Sequence, residues 1–121
     1  MILHITTKKA WEKALIEGEY TTPSLKSEGF IHCSTVTQTA DTANIFCKGQ
    51  KGLALLCIDE NKLKSECKFE GPIGGPRRDP SIGTLYPHIY GPINISAVIK
   101  IVDFPVNEDG LFTLPKELET E

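Results

Sequence analysis

Residues 53–58 read LALLCI, an unbroken run of apolar side chains that Asp59 ends. A strand with one solvated face alternates apolar and polar residues, so a run without alternation predicts a strand covered on both faces. We therefore expect residues 53–58 to form the centre of a sheet, and the rest of the chain to be arranged around it.

Two main helices are expected on the N-terminal side of this strand. The first carries Ala10, Trp11, Ala14 and Leu15 at steps of three and four, and Gly18 is typical of a helix end. The second opens at Thr35, where Val36, Ala40, Ala43 and Cys47 keep a helical spacing before Gly49 and Gly52. Each helix therefore has one face to bury.

The remaining apolar segments are short and predict strands. They cover residues 2–5, 30–34, 67–70 and 97–102, with a last edge strand at 112–114, while residues 23–28 predict a very short helix. The late connections are too short for helical crossovers, which favours antiparallel pairing. The fold class predicted is α+β with short, largely antiparallel strands.

The chain predicts a single domain over residues 1–121, because this length supports one core. Glycine and proline take seven of the thirteen positions in GPIGGPRRDPSIG, so residues 71–84 are expected to be a mobile loop, and the adjacent Arg77 and Arg78 could close over an anion. Residues 115–121 form an acidic tail.

Composition narrows the possible partners and location. Thirteen basic residues against sixteen acidic ones give a net charge of −3, the wrong sign for holding nucleic acid by bulk charge. No membrane-length apolar segment or leader pattern is found, so a cytoplasmic protein without a membrane partner is expected. Cys33, Cys47, Cys57 and Cys67 lack C-x-x-C spacing and predict free thiols.

The three histidines share one arrangement, since each precedes a hydroxyl residue by two positions. The pairs are His4 with Thr6, His32 with Ser34, and His88 with Tyr90. Residues i and i+2 of a strand point to the same face, so each imidazole is expected beside a hydroxyl. The alternative for each is a structural histidine satisfied by one hydrogen bond.

Other chemistry competes for these residues. Three imidazoles could bind the metal of a metal-dependent hydrolase. Because their spacings of 28 and 56 residues contain no pair of ligands on one helix, no metal is expected. Glu70 and Asp59 each end a candidate strand, so either carboxylate could orient a histidine or stabilise positive charge, or simply be solvated. His32 could act as a general acid or base, because the imidazole pKa lies near neutrality.

Two motifs, EGFIHCS at 28–34 and PHIYGP at 87–92, together with HIT at 4–6, resemble the small bacterial family known as domain of unknown function 952. The resemblance covers about residues 3–105. The family is grouped by fold with the ADP-ribosyltransferases, split-sheet NAD-binding domains, and its order of elements is similar to the RNA 2′-phosphotransferase branch.

This resemblance implies roles for the candidate residues. In the transferases an H-G-[ST] motif holds the NAD ribose, so His4 would bind a ribose hydroxyl and Thr6 would support it, although Ile5 replaces the glycine. His32 and Ser34 would line the same cleft, and Glu70 is the nearest match to the catalytic glutamate. His88 and Tyr90 belong to the family's own motif and are expected to bind the ligand.

The resemblance implies a cleft that binds NAD or a related nucleotide and transfers or hydrolyses ADP-ribose. A non-catalytic module that binds a nucleotide or a modified residue is the alternative, and the three-histidine metal hydrolase is the third. A shared cleft requires His4 and His32 to lie on neighbouring strands with side chains on one face, and the loop after Glu70 to lie close by. The sequence leaves the oligomeric state open.

Overall fold

Short strands and helices alternate along the chain around the apolar run at 53–58. The computed structural model describes residues 1–71 and 85–119. The elements are β1 (Ile2–Thr7), α1 (Lys8–Glu17), β2 (Glu19–Tyr20), α2 (Ser24–Ser27), β3 (Ile31–His32), β4 (Ser34–Thr35), α3 (Thr39–Phe46), β5 (Leu53–Ile58), β6 (Glu66–Glu70), β7 (Tyr86–Tyr90), β8 (Ile93–Asn94), β9 (Val98–Asp103) and α4 (Lys116–Glu119). Single 3-10 turns cover Glu60–Lys62 and Ile95–Ala97.

The four-stranded sheet has the order β4-β1-β5-β9. Strand β5 pairs antiparallel with β1 on one side and with β9 on the other, and all of its residues are buried. The prediction of a covered central strand is confirmed, because a buried cluster lies against each face of β5.

The chain changes sheets at Cys33. Strand β3 pairs with β7 in a three-stranded sheet of order β3-β7-β6, whereas β4 pairs with β1 in the four-stranded sheet. The segment 30–34 therefore contains two short strands in different sheets, so the prediction of one continuous strand was wrong. All pairings are antiparallel, and β2 with β8 forms a third, two-stranded sheet, so the α+β class is confirmed.

Local capping explains where the first helix begins and ends. The Thr7 side chain accepts a hydrogen bond from the Ala10 amide, and Gly18 ends the helix in the left-handed region at φ 90°. The second main helix was expected from Thr35 but begins at Thr39, because Thr35 belongs to β4 and its carbonyl accepts the Gln38 amide in a turn.

Two buried clusters lie on opposite sides of the four-stranded sheet. One joins Leu56 and Ile58 of β5 to Ile31 and Ile89 of the three-stranded sheet. The other packs the remaining face of β5 against α3 and the C-terminal segment, including Phe104. Burial of each such side chain contributes about 1.5–3 kcal/mol. Because Ile31 and Ile89 point inward, their strand neighbours must point away from the core.

Residues 112–114 do not form the predicted edge strand. The Asn44 side chain on α3 instead donates to the Phe112 carbonyl at 3.0 Å and accepts the Phe112 amide at 2.7 Å. An amide side chain thus provides the bonds that a neighbouring strand would have made, and Leu118 of α4 is buried beyond it.

Several predictions fall partly or wholly outside the described residues. The predicted loop at 71–84, with Arg77 and Arg78, lies outside the described residues except for Gly71. The last two residues of the 115–121 tail also lie outside them. The four cysteines are free thiols, as predicted. Within the described ranges, none of the helices combines the length and apolar character that crossing a membrane requires.

Candidate functional site

The outward face of the three-stranded sheet carries a row of polar and aromatic side chains, which we call the histidine face. It comprises His32 of β3, His88 and Tyr90 of β7, and Glu66, Lys68 and Glu70 of β6. His32 lies directly opposite His88, and His88 directly opposite Lys68. Their alternate neighbours Ile31 and Ile89 fill the core. The sheet therefore presents both imidazoles on one face.

Glu70 is held by two donors at one carboxylate oxygen. The Nδ1 atom of His88 lies 2.8 Å from Glu70 Oε1, and the Tyr90 hydroxyl donates to the same oxygen at 2.5 Å. These hydrogen bonds, with that of Tyr90 the stronger, hold the pKa of Glu70 below its usual range, and the carboxylate raises the pKa of Tyr90. A carboxylate only accepts, so His88 carries its proton on Nδ1.

His32 has a carboxylate partner of its own. Its Nε2 lies 2.5 Å from Oε2 of Glu28, which follows the last turn of α2. Gly29 adopts φ 91°, a left-handed conformation that returns the chain from α2 toward β3. The sequence reasoning missed Glu28, and the four-residue spacing to His32 was the available signal. With 44% of its side chain exposed, His32 is open to a ligand.

Phe30 lies between the two histidine–carboxylate pairs. Its ring stacks on His88 with centroids 4.1 Å apart and meets His32 edge-on at 4.8 Å. The two imidazole centroids are 5.5 Å apart, and Tyr90 lies 5.4 Å from Phe30. Phe30 is itself buried, so its ring packs against both imidazoles and restricts their mutual orientation.

His4 is buried and satisfied on both ring nitrogens. Its Nδ1 lies 2.6 Å from the carbonyl oxygen of His32, and its Nε2 lies 2.8 Å from the Tyr20 hydroxyl. Burial lowers the pKa of His4 to about 4, so the ring is neutral at neutral pH. A carbonyl only accepts, so Nδ1 carries the proton. His4 thus contacts the backbone of His32 from another sheet, and the two do not lie on neighbouring strands of one sheet.

Thr6 belongs to the same buried network. Its hydroxyl lies 2.7 Å from that of Tyr20, so Tyr20 joins His4 to Thr6. The expected placement of His4 and Thr6 on one face of β1 is correct, but Tyr20 fills the space beside them. Burial raises the pKa of Tyr20 to about 12. Sequence reasoning missed Tyr20, which carries no local signal of its contact with His4.

Ser34 and Asp59 take other partners. The Ser34 hydroxyl lies 2.7 Å from that of Thr39, and Asp59 accepts the Asn61 amide to cap a 3-10 turn. The i, i+2 expectation fails for His32 and Ser34 because the sheet change at Cys33 separates them. Within residues 1–71 and 85–119, no three potential ligands converge on a metal-sized site.

Comparison with known proteins identifies a family and solved structures that match most of the chain. The model of the family described as "Protein of unknown function (DUF952)" matches residues 5–101. The crystal structure of protein CC0527 from Caulobacter crescentus is 29% identical, with a TM-score of 0.80 over 97% of this chain and 96% of that one. A double mutant of that protein is 28% identical to this chain, with a TM-score of 0.80 over the same shares of the two chains.

The solution structure of CC0527 gives 28% identity and a TM-score of 0.72 over 99% of this chain and 97% of the other. The likeness extends over the whole fold in both crystal and solution structures. A search of curated proteins gives no match.

Proposed function

The chain belongs to the family of proteins of unknown function DUF952, and we propose that its histidine face cleaves the N-glycosidic bond of NAD or a related nucleotide, transferring or hydrolysing ADP-ribose. The observation that carries the proposal is the Glu70 carboxylate, which His88 and Tyr90 hold through Oε1. We further propose an ADP-ribosyltransferase-like fold, which the division of the strands between sheets at Cys33 supports.

The geometry suits a reaction through an oxocarbenium-like state. The bond from the ribose C1′ to the ring nitrogen breaks, and its electron pair leaves with the base. Glu70 stays ionised because Tyr90 and His88 donate to it, and the anion stabilises the positive charge that develops on the ribose. A carboxylate fixed before the reaction needs no reorganisation when that charge appears.

The His32–Glu28 pair supplies proton transfer. Glu28 accepts the Nε2 proton of His32, which leaves Nδ1 with a lone pair on an exposed ring. This nitrogen takes the proton of the attacking water or acceptor hydroxyl as the new bond to C1′ forms. Glu28 orients the ring and stabilises the imidazolium that results.

His4 and Thr6 have a supporting function in this proposal. Both nitrogens of His4 have partners inside the protein, so His4 positions the backbone of His32 and does not reach a ribose hydroxyl. Ile5, which replaces the glycine of the transferase motif, favours the alternative of a non-catalytic nucleotide-binding module. Measured turnover decides between the two.

The test is release of nicotinamide from NAD by the purified chain and by Glu70→Gln. Glu66→Gln is the matched control, because Glu66 lies on the same strand and face but pairs with Lys68. We expect the Glu70 variant to be slower by about 100-fold or more and the control to match the wild type. Absence of release by the wild type, or equal rates for both variants, would refute the catalytic proposal.

A further inference from the structure

A groove is lined by α1 and by the segment that leads from β2 into α2. Its volume is about 500 Å³, within the range of small-molecule sites in proteins. The lining residues are Lys13, Thr21, Thr22, Pro23, Leu25 and Lys26. The histidine face contributes none of them, so a ligand in this groove is additional to the substrate proposed above.

The groove carries two ammonium groups, and none of its six lining residues is acidic. Lys13 comes from α1 and Lys26 from α2, so two separate helices bring positive charge to one cavity. The Lys13 ammonium lies 3.9 Å from the Glu17 carboxylate, in an exposed pair of weak attraction. Lys26 makes no ion pair within residues 1–71 and 85–119. The groove is therefore a local positive region that attracts anions, in a chain of net charge −3.

A threonine hydroxyl adds a hydrogen-bond donor. The Ser24 hydroxyl donates its one proton to the Phe30 carbonyl at 2.7 Å, so Thr22 is the donor in the 2.6 Å bond between the Thr22 and Ser24 hydroxyls. The neighbouring Thr21 hydroxyl has no hydrogen-bond partner in the described part of the chain. Its proton is therefore free for an oxygen atom of a ligand.

The apolar wall of the groove is fixed before a ligand binds. Leu25 packs against the buried cluster that contains Ile31. The amides of Glu28 and Gly29 both donate to the Ser24 carbonyl, which holds the C-terminal end of α2 in place. A preformed wall costs a ligand little in ordering the protein, so the apolar body of a small molecule can pack on it.

We propose that this groove binds a small phosphomonoester, a molecule with one phosphate group and an apolar body. The Lys13 and Lys26 ammonium groups neutralise the phosphate, Thr21 donates to it, and Leu25 packs against the apolar body. Two ammonium groups suit a phosphomonoester, since its single phosphate carries a charge of about −1.5 to −2 at pH 7. The volume of the groove exceeds what a phosphate ion alone would fill. This inference is independent of the catalytic proposal.

The experiment is a titration of the full ¹⁵N-labelled chain at low salt, followed by two-dimensional NMR. Phenyl phosphate carries both the anion and the apolar body, inorganic phosphate carries only the anion, and benzyl alcohol carries only the apolar body. We expect phenyl phosphate to bind at least fivefold more tightly than either of the other two. The largest amide shifts should fall at Thr21, Thr22 and Leu25.

Lys26→Met is the informative variant, with Lys51→Met, at an exposed loop position, as its control. Removal of one ammonium group should weaken phenyl phosphate binding by about two- to fivefold, while the control should match the wild type. Lys26→Arg, which keeps the charge, should bind within twofold of the wild type. Both lysines are exposed, so these changes do not threaten the fold.

Several results would overturn the inference. Equal affinity for phenyl phosphate and benzyl alcohol would show that the anion is not recognised, and equal affinity for phenyl phosphate and inorganic phosphate would indicate an adventitious ion only. Absence of shifts at millimolar phenyl phosphate, or shifts centred on Glu70 or on Arg77 and Arg78, would also refute it. None of these results bears on catalysis, which nicotinamide release by Glu70→Gln tests separately.

Discussion

Replacing Tyr20 by phenylalanine tests the buried network beneath the site. The change removes a hydroxyl that lies 2.8 Å from His4 Nε2 and 2.7 Å from Thr6 Oγ1, all three side chains being buried. A buried polar group left without its partner costs about 1–3 kcal/mol. Thr6 can turn its hydroxyl elsewhere, whereas the His4 ring cannot, so we expect a loss of about 2 kcal/mol in the free energy of unfolding.

Urea unfolding monitored by circular dichroism measures this loss. With an m-value of about 2 kcal/mol/M, the midpoint of Tyr20→Phe should fall by roughly 1 M. Tyr86→Phe is the control, because the Tyr86 hydroxyl has no hydrogen bond to described residues. The reasoning is refuted if the two variants unfold at the same midpoint.

The same variant has a signature in alkali. Burial raises the pKa of Tyr20 from 10.0 to about 12, so the folded state favours the neutral phenol. The associated stability is fully present below pH 10 and is lost as the pH rises toward 12. Tyr20→Phe should lack this component, and its unfolding free energy should depend less on pH in that window than that of the wild type.

Three further predictions concern acid, a glycine and the C-terminal segment. Burial lowers the pKa of His4 from 6.5 to about 4, so the stability that His4 contributes is present above pH 6.5 and is lost as the pH falls to 4. In urea unfolding, the free energy of unfolding of His4→Gln should depend less on pH in this window than that of the wild type. Gly91 has φ 156°, and an added Cβ would meet the Ser65 hydroxyl, so thermal unfolding of Gly91→Ala should show a loss of about 1–3 kcal/mol; an unchanged Tm contradicts the clash. Asn44→Ala should cost about 1–3 kcal/mol and speed hydrogen exchange at Phe112, which an unchanged exchange rate would contradict.

Local patterns predicted the elements whose signals are local. The apolar run at 53–58 gave the central strand because a residue covered on both faces must be apolar wherever its neighbours come from. Thr7 and Gly18 marked the ends of α1, since capping depends on residues within one turn. Glu70, His88 and Tyr90 were singled out by sequence, and hydrogen bonds at Glu70 Oε1 join them.

The parts that sequence could not predict depend on contacts between distant segments. The rule that residues i and i+2 share a face assumes an unbroken strand, and the pattern at 30–34 gives no sign that Cys33 separates two sheets. Tyr20 reaches His4, and Asn44 reaches Phe112, only after the chain has folded. For this reason the sequence did not show that both ring nitrogens of His4 have hydrogen-bond partners inside the protein, where a ribose contact was expected.

The sheet change at Cys33 explains how one residue joins the core to the histidine face. The carbonyl of His32 accepts the His4 proton on the buried side, while its ring bonds Glu28 and faces His88 on the exposed side. A strand that continued in one sheet would place residue 34 beside the imidazole; the break sends Ser34 to Thr39 instead. The backbone of His32 is thereby anchored by a buried, neutral histidine while its ring stays open to solvent. The proton transfer proposed for His32 needs this combination, because a general base has to be both fixed in position and accessible to its substrate.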